Sequence, residues 1–230
     1  MDATRRQFLI GACGFVLAGC AEGVRQSTLP GVSWPDVAGR PRPGRELPAA
    51  PDIAASASAG TLLPRSAWAQ AGPVSGRVNP MNGIRRITVH HEGMPYPIDF
   101  SDVPRTRAEL EKVRRSHVDA RGWGDIGYHY VIDRAGRIWE GRSLRYQGAH
   151  VRDFNEHNIG VLVLGNFDIQ EPSAIQLAVL EKFVGDLRRR HGVSQREIWT
   201  HQECPHAATA CPGESLQADM VRLRRRRAFA

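Results

Sequence analysis

The run Ile159-Gly160-Val161-Leu162-Val163-Leu164-Gly165 narrows the fold more than any other part of the chain. It is apolar without interruption, β-branched at alternate positions and closed by glycine, and it is too short for an ordinary helix. A strand with that pattern is buried on both faces, which happens in sheets covered by helices on each side. The covering helices can be read nearby. Thr106 to His117 is rich in Glu, Lys, Arg and Leu, with Thr106 placed to cap it. Pro172 opens a second helix running to about Arg190, with Ile175, Val179, Phe183 and Leu187 on one stripe and His191-Gly192 at its end. Pro212-Gly213 leads into a third helix rich in arginine. Arg86 to His90 alternates with period two and reads as a strand. Tyr128 to Asp133 turns through Arg134-Ala135-Gly136 into Arg137 to Glu140 as a hairpin, and Glu197 to Thr200 is a last short strand. The expectation is a single α/β domain with a central mixed β-sheet flanked by helices.

The limits of that domain follow from composition. Residues 21–60 are rich in Pro, Ala and Ser with no apolar period, the signature of a flexible linker. The folded domain is expected over 61–223, with 224–230 a basic C-terminal tail. Hydrophobic residues make up 41% of the chain, enough for one core, and no apolar run reaches the roughly 18 residues of a membrane helix. Formal net charge is +7, much of it in Arg222 and Arg224 to Arg227. Without interleaved aromatics or a DNA-binding helix pattern, that excess reads as a solvated helix end, and no nucleic-acid partner is expected.

Residues 1–20 read as an export signal: Arg5-Arg6, a short apolar segment and a small-residue site, Leu17-Ala18-Gly19-Cys20. The last four residues resemble the bacterial lipobox, in which cleavage precedes a cysteine that then receives lipid. That resemblance implies twin-arginine export, lipid on Cys20 and a membrane-anchored periplasmic protein. Ala21 stands where an Asp would retain the protein at the inner membrane of enteric bacteria, which favours the outer membrane. Processing would remove Cys13 and leave Cys204 and Cys211 as the free thiols. In an oxidising compartment those two could pair as a disulfide.

A different use of Cys211 comes from the histidines. His90 ends the first strand, His201 follows the last one, and Cys211 lies ten residues after His201 on a loop entering a helix. Two imidazoles and one thiolate suit Zn²⁺ and leave the fourth tetrahedral position open, as catalytic zinc sites do. Spacing alone does not bring His90 to His201, so a metal site, a disulfide and plain structural histidines all stay open at this point.

Seven segments in order carry a resemblance over residues 62–220 to the peptidoglycan recognition proteins and the zinc N-acetylmuramoyl-L-alanine amidases of the phage lysozyme type. They are Leu63-Pro64-Arg65-Ser66-Ala67-Trp68, Ile87-Thr88-Val89-His90-His91, Gly122-Trp123-Gly124-Asp125-Ile126-Gly127-Tyr128-His129-Tyr130, Trp139-Glu140-Gly141-Arg142, Gly148-Ala149-His150, Asn158-Ile159-Gly160-Val161 and Ala210-Cys211-Pro212-Gly213. The resemblance implies one Zn²⁺ held by His90, His201 and Cys211 in a surface groove. It implies catalytic roles for Tyr128 and Thr209, and substrate contacts from His150 and Asn158, with His91 a further candidate. Peptidoglycan or muropeptides are the implied partners, and a monomer is expected. The implied reaction is hydrolysis of the amide between the lactyl group of N-acetylmuramic acid and L-alanine. A non-catalytic peptidoglycan-binding module and a zinc peptidase acting within the stem peptide are the competing readings.

The chain also departs from the pattern. Relatives read His-Arg-Asp after the second ligand, with eight residues to the cysteine; this chain reads His201-Gln202-Glu203, and its longer loop adds Cys204 and His206. Cys204 is thereby a rival ligand or a disulfide partner. Ser143-Leu144 replaces a Gly-Trp pair common in animal relatives, so stem-peptide preference does not carry over.

Overall fold

The computed structural model describes residues 57–230; the expected export signal, Cys20 and most of the expected linker lie outside the described residues. The glycine-bounded run forms β5 (Asn158–Val163), and every residue of it is buried. It lies inside a six-stranded sheet with β1 (Leu62–Leu63), β4 (Ile138–Glu140), β3 (Tyr130–Ile132), β5, β2 (Arg86–His91) and β6 (Ile198–Thr200) in that spatial order. The β3–β4 pair is the antiparallel hairpin read from the sequence, and the other pairs run parallel, so the sheet is mixed. The hairpin is built on one carboxylate. Buried Asp133 accepts the backbone N–H of Ala135 and Arg137 at 3.0 Å each, Arg137 Nε at 2.7 Å and Trp139 Nε1 at 2.8 Å.

Register then divides the side chains between two faces. Ile87 pairs with Ile159 and Val89 with Val161, so these residues share a face. There α2 (Ala174–His191) and α3 (Glu214–Arg225) cover them with Leu180, Val184, Leu187, Leu216 and Met220. On the opposite face Val131, Trp139 and Leu162 pack with Leu110 and Val113 of α1 (Val103–Arg115). Thr88 and His90 alternate onto this second face but belong to neither apolar cluster. The single domain with a mixed sheet between helices is as expected from the sequence.

Three details differ. Helix α1 starts at Val103, because Asp102 rather than Thr106 caps it, accepting Arg105 N–H at 2.9 Å. It also continues as a π-helical turn, Ser116–Ala120. In α2 the buried face runs through Gln176, Val179, Leu180, Val184 and Leu187, while Ile175 is exposed. A strict four-residue stripe precesses about 40° per step on a 3.6-residue helix, so its two ends cannot share one face. Residues 224–230 are no free tail: Phe229 is fully buried in the larger core, and its carbonyl accepts Arg188 Nε at 2.5 Å. The basic run hid this, since five arginines mask one aromatic anchor. Arg222, Arg224 and Arg226 pair with Asp219, Glu203 and Glu181.

Candidate metal centre

The sheet supplies what spacing could not. Val89 pairs with Thr200, the last residue of β6, so the end of β2 lies beside the start of the 3-10 turn His201–Glu203. The rings of His90 and His201 have centroids 4.7 Å apart. Cys211 reaches them from the loop before α3: its carbonyl accepts Gln202 N–H at 2.8 Å, and its Sγ lies 3.6 Å from His90 Nδ1. One donor atom from each of His90, His201 and Cys211 falls within 4.8 Å of the others. His90 is buried while His201 and Cys211 are half-buried, so the group is anchored on one side and open on the other.

The loop that delivers Cys211 is tightly specified. Thr209 Oγ1 accepts Cys211 N–H at 3.1 Å. Gly213 has φ +86°, and a Cβ there would meet the backbone carbon of Phe167 at 2.5 Å, so only glycine fits. His91 serves this loop too: its Nδ1 accepts Phe167 N–H at 3.1 Å, and its backbone N–H lies 3.4 Å from Cys211 Sγ. Only Nε2 of that ring is left for any ligand.

Burial keeps the site's titratable groups neutral in the absence of a cation. The imidazole of His90 is held well below its usual range by burial, then by the basic neighbours His150, His201 and His91. Burial likewise lowers His201 and pushes the Cys211 thiol up to about 12. A cation among the three donors reverses that preference, because it stabilises the thiolate directly. Neutral imidazoles and a thiol that ionises on binding form a donor set that fits Zn²⁺.

Tyr128 stands beside the group, its ring centroid 5.2 Å from that of His90. Burial, then the nearby Cys211, raises its hydroxyl above the ordinary phenol range, so it stays a proton donor. The ring of His117 also lies near Tyr128, its centroid 5.7 Å away; it is buried, accepts Gly127 N–H at 3.0 Å on Nδ1, and burial lowers it to about 4.

Two residues expected to contact substrate are buried, with their polar atoms turned to other parts of the chain. Asn158 is fully buried, its Oδ1 accepting Thr88 Oγ1 at 3.0 Å and its Nδ2 donating to the Phe154 carbonyl at 2.8 Å, so no polar atom is left for substrate. His150 is buried against His90 and the Asn158 carbonyl. Cys204 is a free, buried thiol 3.5 Å from the Thr200 carbonyl and outside the donor group. Sequence reading noted Glu203 only as a departure. It ties the His201 turn to α3, accepting Thr200 N–H at 2.8 Å, Gln217 Nε2 at 3.0 Å and Arg224 Nη1 at 2.6 Å. The signal was available as Thr200-x-x-Glu203, a capping box.

The family described as N-acetylmuramoyl-L-alanine amidase matches residues 80–214. An N-acetylmuramoyl-L-alanine amidase of Sus scrofa is 30% identical over 156 residues, which cover 67% of this chain and 26% of that protein. The chain thus spans about a quarter of that relative's length. Peptidoglycan-recognition protein SC1a of Drosophila melanogaster is 37% identical over 138 residues, covering 59% of this chain and 71% of the relative. Among solved structures, a mutant of Drosophila PGRP-LB in complex with tracheal cytotoxin superposes with a TM-score of 0.60. It is 25% identical, with 71% of this chain and 94% of that one covered.

Proposed function

The chain belongs to the N-acetylmuramoyl-L-alanine amidase family, and from that premise we propose that it hydrolyses the amide between the lactyl group of N-acetylmuramic acid and the L-alanine of the stem peptide. The observation that carries the reading is the donor group of His90, His201 and Cys211 with the Tyr128 ring beside it. Zn²⁺ in such a three-ligand site supplies Lewis acidity toward an amide carbonyl and toward water. His90 and His201 would hold it through ring nitrogens and Cys211 as a thiolate. The Tyr128 hydroxyl, kept neutral by burial, donates to the oxygen on which charge develops, and the Thr209 hydroxyl is a second donor at the rim. One such donor contributes on the order of 3 kcal/mol in the transition state.

Peptidoglycan or a muropeptide is the substrate class. The Drosophila relative solved with tracheal cytotoxin, a monomeric diaminopimelic acid-type peptidoglycan, supports it. The twin-arginine segment and Cys20 would hold this domain on a lipid tether in the periplasm, where that polymer lies. Digestion of purified sacculi by zinc-loaded protein lacking residues 1–20, with products identified by mass, tests the reading. Free stem peptides beginning at L-alanine, lost with chelator and restored by Zn²⁺, are expected. Cleavage within the stem would instead make the protein a peptidase, and binding without release a recognition module.

A further inference from the structure

The ring of His150 has both nitrogens engaged. Its Nδ1 lies 3.0 Å from His90 Nε2, and its Nε2 lies 3.2 Å from the backbone carbonyl of Asn158. A carbonyl only accepts, so His150 carries a proton on Nε2. A cation would take His90 through the nitrogen that faces Cys211, Nδ1, which leaves the ring's proton on Nε2, and His150 Nδ1 stands opposite it as the acceptor. With Nε2 protonated, His90 keeps its lone pair on Nδ1, the atom that faces Cys211 Sγ at 3.6 Å. The geometry points to His150 as a positioning residue that sets the tautomer and ring orientation of His90 for metal binding.

The surroundings of His150 are built for this. A Cβ on Gly148 would fall 2.2 Å from the ring and one on Gly160 2.6 Å, so the two glycines form the slot that admits the imidazole. His150 N–H and Val151 N–H both donate to Asn155 Oδ1, at 2.8 and 3.0 Å. Asn158 clamps the same loop to Thr88 of β2 through its 3.0 Å hydrogen bond. Slot, loop and strand thus hold the acceptor against the back of His90.

The inference rests on the zinc reading, and the tests separate the two. His150→Phe fills the slot without an acceptor, whereas His150→Asn keeps an acceptor near the position of Nδ1. Zinc affinity, measured by competition with a chromogenic chelator, is expected to fall roughly ten- to a hundredfold in the Phe variant. The Asn variant should recover most of that loss. A Phe variant that binds like wild type, or an Asn variant no better than Phe, overturns the assignment. A Phe variant that fails to fold leaves the decision to ring ¹⁵N NMR of metal-free wild-type protein, which should show His90 and His150 both protonated on Nε2. A His90 proton on Nδ1 overturns the inference. Wild-type protein that takes up no zinc would defeat the zinc reading, while the NMR result would still decide the tautomer.

Discussion

The two faces of β2 follow opposite rules. Ile87 and Val89 on one face are fully buried in an apolar layer beneath α2 and α3, where burial is their whole contribution. Thr88 and His90 on the other face are buried almost as completely, yet each has a polar partner: Thr88 bonds Asn158, and His90 bonds His150. Apolar burial is non-directional, so β-branched residues of similar volume substitute for one another with small losses. A buried polar group is tolerated only when its partner has the right chemistry at the right distance. One strand can therefore be sealed on one side and chemically exacting on the other.

Substitutions on each side can break or sharpen that contrast. The largest effect on the polar side is expected from Cys211→Ser, with amidase turnover falling at least about a thousandfold, the several kcal/mol a Lewis acid supplies. The melting temperature of metal-free protein should move little; retained turnover would remove Cys211 from the ligand set. On the apolar side Phe229→Ala should do the reverse, costing about 3–5 kcal/mol in denaturant unfolding while leaving kcat of the folded fraction near wild type. A loss below 1 kcal/mol would return residues 224–230 to the status of a tail. Tyr128→Phe should lower kcat by roughly a hundredfold or more with zinc affinity unchanged. Unaltered kcat would make the ring a packing residue.

The smallest effect concerns the tie between the two sides. Burial would raise Glu203, but hydrogen bonds from Arg224, Thr200 N–H and Gln217 outweigh it and hold the carboxyl at about 2. A carboxyl lower in the folded than in the unfolded chain stabilises fully above about pH 4.3 and loses that contribution as pH falls toward about 2. Glu203→Gln should therefore flatten the fall of melting temperature over that acid range. Equal slopes in mutant and wild type would show that the Arg224 pair does not couple the His201 turn to α3.

Much of this was legible in the chain itself. The uninterrupted apolar run from Ile159 to Leu164, β-branched at alternate positions, requires cover on both faces, and that alone implied a sheet between helices. Caps and breakers such as Gly192 and the Asp133 turn mark element ends because they act through neighbours a few residues away. The motif segments brought out His90, Tyr128, His201 and Cys211 as candidates because ligand chemistry is a property of residue type. Asn158 and His150 were misplaced because a motif position does not state whether its polar atoms face a groove or another part of the chain.

Local sequence determined the strands, the caps and the kinds of donor atom, since propensity, turn geometry and ligand chemistry act over short range. Tertiary structure alone decided the rest. The parallel β2–β6 register brought residues 90 and 201 together, and the Gly148–Gly160 slot turned His150 toward His90. Phe229 reached the core through contacts with a helix some forty residues earlier in the chain. Those outcomes depend on which distant segments pair, and pairing is settled by the joint burial of whole faces rather than by any one stretch.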